Sequence, residues 1–350
     1  MNLRPLLLCL AILCGLGAMP GAQAAPVPAA AAFVPQRGMW IWHMERLIGD
    51  DAALARLFDA TAHAGITDLY IYLPLNGYTA DDKTLTAFIA AARRHNIAVW
   101  GLDGCRCYFK DADGPQKLYA TINALIAYND RVAPEGRFTG FQNISLPHDI
   151  TGYRAAFHNG IPSSQLDQTG GGVWQKTAAA DRQSLLIDWL DIQHGAYDRL
   201  KAHGLQAAAA MLSSTESYYG EPMTVTYQGV TDSLGHLMMN YTDDYIVLTY
   251  NTDPANAAGR AVAQATYASG LPLAHRPRVF AAIETDTGNG ATISYGDTPG
   301  KQSQTAVLDD IATIENTLRA QPAFVGVGIH SWEGWQGLEA GRDEKAVGEK

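Results

Sequence analysis

The sequence predicts an α/β protein, a single-domain (β/α)8 barrel of the TIM type. Three observations carry that prediction. Eight short apolar runs punctuate the chain, and they are nearly continuous rather than alternating, as parallel strands buried on both faces should be. Segments with a 3.6-residue apolar period stand between several of them, so strand and helix alternate. No G-x-G-x-x-G follows the first run and no G-x-x-x-x-G-K-[ST] occurs in the chain, so the usual mark of an open doubly wound sheet is missing.

The elements follow in order. Residues 39–43 form the first expected strand. Leu54, Leu57, Phe58 and Thr61 then share a helical face that Gly65 ends. Residues 68–73 are the second strand, and Leu85, Phe88, Ile89 and Ala92 repeat the helical spacing. Residues 97–102 are the third, followed by Leu118, Ile122, Leu125 and Ile126. Residues 138–146 are the fourth, and a longer helix carries Leu186, Trp189, Leu190 and Tyr197 before stopping near Gly204. Residues 205–212 are the fifth strand, but no helical period is clear between Ser213 and Asp243. Residues 244–250 and 278–284 are the sixth and seventh strands, and Val307, Ile311, Ile314 and Leu318 mark the next helix. Residues 324–330 are the eighth, after which only the charged stretch 339–350 is left to supply a helix.

Residues 1–24 read as a secretory signal. Arg4 is the basic region, residues 6–16 are an apolar core too short to span a bilayer, and Ala22-Gln23-Ala24 offers a cleavage site. The mature chain is then expected to begin at Ala25 and to be soluble, periplasmic or extracellular. Lipidation of Cys14 is the alternative, which the bulky Leu13 before it disfavours. An Ala/Pro-rich linker (25–36), the barrel (37–338) and a charged tail (339–350) complete the expected organisation.

The 350 residues carry 25 Lys+Arg against 35 Asp+Glu, a net charge of −10, which argues against nucleic acid or an anionic membrane as partner. Cys105 and Cys107 outlast the leader. They are either two thiols or one local bridge that shapes a loop. Cys and His residues do not fall at ligand spacing around them, so neither a metal nor a cofactor is expected.

Two long connections, 147–180 with Gly170-Gly171-Gly172 and 213–243 with Tyr218, Tyr219, Tyr227 and Tyr241, follow strands. They therefore belong to the C-terminal face, where barrels build their sites. Polar residues at strand ends are the candidates: His43, Asn76, Asp103, Gln142, Asn143, Ser213, Glu216, Tyr250, Asn251, Glu284, Asp286, His330 and Glu333. Trp40, Trp42, Tyr72, Trp174, Trp332 and Trp335 crowd the same ends. Flat rings beside carboxylates suit a sugar, whose C–H face stacks while its hydroxyls take hydrogen bonds.

Each candidate also has a structural reading. Trp40, Trp42 and Trp100 sit within strands and fit a core, whereas Trp332 and Trp335 lie past the last strand and fit a rim. Asp103 could cap a helix or order the loop 104–107. His43 and His330 could be structural histidines, and Glu284 could be half of an ion pair. Glu284 is the sharpest signal, because it ends an apolar strand and opens the polar loop Thr285-Asp286-Thr287-Gly288. The expected carboxylate set is Glu284 with Asp103, Asp149 or Glu333. Trp40, Trp42, His43, Gln142, Tyr250, Asn251, His330, Trp332 and Trp335 are the expected contacts to a polysaccharide or oligosaccharide. Neither a G-x-S-x-G elbow nor an H-E-x-x-H pair is present.

Five stretches carry a resemblance: Met39-Trp40-Ile41-Trp42, residues 88–102 with Asp103-Gly104, Leu248-Thr249-Tyr250, Ala282-Ile283-Glu284-Thr285, and Gly326-Val327-Gly328-Ile329-His330-Ser331-Trp332-Glu333-Gly334-Trp335. From about residue 37 to 335 the chain resembles secreted bacterial TIM-barrel proteins related to glycoside hydrolases. The resemblance implies a barrel that acts on carbohydrate. Relatives carry a fourth-strand motif like G-I-x-x-D-V-E-P-Y, whose two acids are their presumed catalytic pair. Here the run is Gly140-Phe141-Gln142-Asn143-Ile144-Ser145-Leu146-Pro147-His148, so Ile144 and Leu146 stand where the acids would be, with Asp149 three residues beyond. Three functions remain open: a glycan-cleaving enzyme with a shifted acid set, a barrel that binds a saccharide without cleaving it, and a structural envelope protein.

Overall fold

The apolar runs close into a ring. In the computed structural model, which describes residues 33–72, 82–109, 113–147, 179–218 and 220–339, the barrel strands are β1 (Gln36–Ile41), β2 (Asp68–Tyr72), β3 (Ala98–Asp103), β4 (Gly140–Asn143), β5 (Gln206–Leu212), β6 (Asp244–Leu248), β7 (Arg278–Glu284) and β8 (Phe324–His330). Each pairs in parallel with the next, and β8 closes on β1 through the register Met39↔Ile329. The expected (β/α)8 barrel is therefore the observed fold.

The helices are α1 (Asp51–Ala64), α2 (Asp82–Arg94), α3 (Gly114–Arg131), α4 (Ala179–Ala202), α5 (Leu234–Met238), α6 (Pro254–Gly270), α7 (Gln304–Leu318) and α8 (Trp332–Gly337). In α1 the Asp50 side chain accepts from the Ala52 and Ala53 amides, and Gly65 ends the helix in the left-handed region at φ 66°. Arg37, just inside β1, ties the helix layer to the barrel. Its guanidinium donates twice to Glu315 of α7 at 2.8 Å and once to the Ala64 carbonyl at 2.9 Å. Among the described residues, no helix is long and apolar enough to cross a membrane.

Three expectations change. The fourth strand stops at Asn143 rather than 146, because the Asn143 side chain accepts from both the amide and the hydroxyl of Ser145 and turns the chain off the ladder. The stretch after β5 holds two antiparallel hairpins, 217–222 and 224–233, ahead of the short α5. The second hairpin turns at Gln228 and Gly229, both at positive φ, as two-residue hairpin loops require. The eighth helix is α8, which lies before the charged tail. It buries Trp332 and Trp335, at 4% and 0% exposure, so these two rings do not stand on the rim.

Aromatic rings fill the barrel. Trp40, Tyr70 and Trp100 are all fully buried, and each is admitted by a glycine on a neighbouring strand. A Cβ at Gly38 would lie 2.8 Å from the Tyr70 ring, one at Gly140 2.6 Å from Trp100, and one at Gly328 2.8 Å from Trp40. Below them Arg278 donates to both oxygens of the buried Asp244, at 2.7 and 2.6 Å, and to Gln36, while the Trp100 indole donates to Asp68. Above them Trp40 Nε1 donates across the barrel to Gln142 Oε1 at 2.5 Å. Both of those residues have no exposure, so this bar shuts the barrel axis beneath the mouth.

Candidate functional site

Strand alternation decides what reaches the mouth. Phe280, Ala282 and Glu284 share the inward face of β7, and the register sets Glu284 beside His330, the last residue of β8. On β1 the same spacing carries Trp40 inward and Trp42 to the lip. Glu284, His330 and Trp42 thus meet because three adjacent strands end at one level.

Hydrogen bonds define the chemistry of that meeting. His330 Nδ1 lies 3.1 Å from Glu284 Oε1, 3.0 Å from its Oε2, and 3.5 Å from Asp286 Oδ2. On the other side of the ring, Trp42 Nε1 donates to His330 Nε2 at 2.8 Å. An indole N–H can only donate, so Nε2 must present its lone pair and Nδ1 must carry the proton. His330 is a neutral imidazole that relays a hydrogen bond from Trp42 to Glu284. Glu284 also accepts from the Asp286 amide at 2.8 Å, and Asp286 accepts from the Ser331 hydroxyl at 2.7 Å.

Electrostatics follow from burial. Burial opposes a charge on His330, but the hydrogen bond to Glu284 and the charges of Glu284, Asp286 and Glu333 outweigh it and hold the imidazole pKa above its ordinary value. Burial, helped by Glu284 and Asp286, pushes the Tyr250 hydroxyl far up, so this ring stays neutral. Trp40, Trp42 and Tyr250 surround His330 at centroid distances of 5.7, 5.7 and 5.8 Å, and Tyr72 packs against Trp42.

The donor atoms of Glu284, Asp286 and His330 lie within 4.8 Å of one another, a spacing that one metal ion could use. The polarity of the ring argues otherwise. Nδ1, the nitrogen facing the carboxylates, carries the proton, and a metal there would turn Nε2–H toward the Trp42 N–H.

The other expected residues sort by position. Glu333, in the first turn of α8, accepts from the Trp42 and His43 amides at 3.1 and 2.8 Å, and so braces the end of β1. His43 itself is half exposed and pairs with Glu45. Tyr250 and His330 stand at the mouth, whereas Gln142 lies beneath it, held by Trp40. Asn251 accepts from the Asp253 amide and shapes the turn into α6. Asp149, like Asn76 and Trp174, lies outside the described residues.

Asp103 is not brought to Glu284. It falls on the outward face of β3, where it accepts from Tyr108 at 2.5 Å, the Gly104 amide at 2.7 Å and Thr121 of α3 at 3.4 Å. Burial raises its pKa against those bonds. It orders the loop that the Cys105–Cys107 disulfide closes, which was the structural alternative for this residue. Asp286 is the residue the expected set left out. It was among the strand-end candidates, and it stands two positions past Glu284, just beyond the end of β7.

The facing side of the mouth is apolar. Past the end of β4, Ile144 and Leu146 pack with Leu102 against the barrel core. Among the described residues, the carboxylates at the mouth therefore belong to the β7, β8 and α8 side.

No protein-family model matches this chain, and no curated protein sequence does. Among solved structures it is similar to a chitinase from Chromobacterium violaceum, at 10% identity and a TM-score of 0.46, over 87% of this chain and 98% of that one. It is also similar to the catalytic domain of a beta-amylase from Paenibacillus polymyxa (11%, 0.47, 85% and 92%). A third is GH5_18 from Streptomyces cattleya in complex with GlcNAc (13%, 0.48, 86% and 71%). At these identities the likeness is one of fold.

Proposed function

We propose that this chain is an exported carbohydrate-binding barrel that holds a polysaccharide or oligosaccharide at its mouth without hydrolysing it. One observation carries the reading: among the described residues, the carboxylates of the mouth stand at the ends of β7 and β8, while the ends of β3 and β4 carry Leu102, Ile144 and Leu146, packed on the barrel core. Glycoside hydrolysis in its commonest form uses two carboxyl groups flanking the scissile bond, roughly 5–9.5 Å apart, one of them free to move a proton. Glu284 and Asp286 have oxygens within 4.8 Å on the same side, and both lean on His330. One oxygen of Glu333 is held by the Trp42 and His43 amides, while its other oxygen, Oε2, is buried without a hydrogen-bond partner. What remains suits recognition: Trp42, Tyr72 and Tyr250 offer ring faces, and Asp286 and Glu284 offer acceptors for hydroxyls. Export rests on the leader-like residues 1–24.

The test is a panel of cell-envelope and extracellular polysaccharides, assayed for hydrolysis and, by calorimetry, for binding. We expect binding without cleavage. Glu284→Gln should weaken that binding by about 1–3 kcal/mol, the range for an altered charged hydrogen bond. Cleavage that falls about 100-fold in Glu284→Gln would make the protein an enzyme instead. Neither cleavage nor binding across the panel would reject the reading in favour of a structural role.

A further inference from the structure

His330 stands between unlike neighbours, two carboxylates at Nδ1 and an indole N–H at Nε2. The geometry points to a protonation switch: a proton added to His330 Nε2 breaks the hydrogen bond from Trp42 and releases that ring from the wall of the mouth. Resting on the saccharide-binding reading above, this makes the affinity of the mouth fall on acidification.

The argument is one of donors and acceptors. The neutral ring has a single free lone pair, on Nε2, and the Trp42 indole already uses it at 2.8 Å. A proton from solvent can go nowhere else on the ring. Once it is there, two N–H donors face each other at hydrogen-bond distance, and indole has no lone pair to offer in return. The contact turns from attractive to repulsive, and one partner must turn away.

Trp42 is the partner that can move. His330 is held by Glu284, whose hold strengthens when the ring is charged. The Trp42 main chain is fixed through its amide to Glu333, so the motion is confined to the side chain, which is only partly buried. The groups facing His330 agree in sign. Glu284 at the end of β7, Asp286 just past it and Glu333 from α8 are acidic, while Tyr250 past β6, Trp40 of β1 and Trp42 just past β1 are uncharged. Burial alone resists the proton, but the carboxylates prevail and raise the pKa of the ring above its ordinary value, which favours the charged form.

The test is nuclear magnetic resonance on the full chain, following the imidazole nitrogens of His330 and the indole proton of Trp42 from about pH 9 to about pH 5, a range set to cross the ordinary histidine titration. The Trp42 signal is assigned by its loss in Trp42→Phe. We expect the Nδ1–H tautomer at high pH and a Trp42 indole proton that shifts with the same midpoint as His330. Trp42→Phe removes the donor that favours the neutral ring, so the His330 midpoint should rise by up to about one pH unit. An Nε2–H tautomer, a Trp42 signal indifferent to the titration, or a midpoint unchanged or lowered in Trp42→Phe would overturn the switch.

Calorimetry with a polysaccharide that binds at high pH separates the two readings. The switch predicts about fivefold weaker binding below the midpoint, the loss of roughly one hydrogen bond. Affinity that stays flat across the midpoint overturns the switch and leaves the binding reading intact. Rings that titrate together in a protein that binds no polysaccharide keep the switch and reject the binding reading.

Discussion

Gly328→Ala tests how the barrel is filled. The added Cβ would sit 2.8 Å from Cζ3 and 2.9 Å from Cη2 of Trp40, while its distance to the Ala282 Cβ, 3.8 Å, is ordinary. Trp40 cannot yield freely. Tyr70 lies against it at 5.4 Å between centroids, and its indole is tied to Gln142 at 2.5 Å. Overpacking of this kind costs about 1–3 kcal/mol, and a strained Trp40–Gln142 bond adds about 1 kcal/mol. The smaller entropy of an unfolded chain with Ala offsets about 0.4–1 kcal/mol. We expect a net loss near 2 kcal/mol, read as a lower urea midpoint with an unchanged slope. In a Trp40→Phe background the far edge of the indole is gone. Gly328→Ala should then cost less than about 0.5 kcal/mol, a coupling of about 1.5 kcal/mol between sites that touch. Additive costs in the double-mutant cycle would show that the Trp40 edge does not set the space at Gly328.

Two further outcomes follow from described contacts. Asp103→Ala removes the partner of Tyr108 and the Gly104 amide and should cost about 2 kcal/mol in urea while calorimetric binding of a saccharide is unchanged; lost binding at full stability would instead place Asp103 in the site. Asp244→Ala leaves Arg278 without its bidentate partner at the floor of the barrel. Because solvent reaches part of Arg278, we expect a loss of about 2–3 kcal/mol rather than the larger cost of a fully buried orphan, and Arg278→Met in the same chain should recover much of it in thermal unfolding.

The fold was legible because its signal is long-range and redundant: eight apolar runs and the helices between them say the same thing many times over. Strand ends were less so. A side chain such as Asn143, bonding to Ser145, stops a ladder without changing the hydrophobic pattern. The hairpins before β6 were missed because their strands are two to four residues long, too short for a period. At the site, Glu284, His330 and Trp42 were each visible as strand-end residues, yet the bond between Trp42 and His330 depends on β1 and β8 being neighbours, which only closure provides. Asp103 misled because strand-end position alone does not say which face a residue takes; a count by twos from Trp100 and Leu102 would have turned it outward. Trp332 and Trp335 misled because residues past a strand were read as loop, whereas Ser331 caps a short helix that folds both rings inward.

The Trp40–Gln142 bar divides the molecule into two parts with separate duties. The ring-and-glycine pairs, the Asp244–Arg278 floor and the Asp68–Trp100 bond all lie at or below it. Ile144, Leu146, Trp42, Tyr250, Glu284 and His330 all lie above it. Substitutions at the lip therefore act on a surface whose foundation is already complete. A lineage with this architecture is free to exchange residues at the lip and to drift between ligands and chemistries while selection on folding is directed elsewhere in the chain.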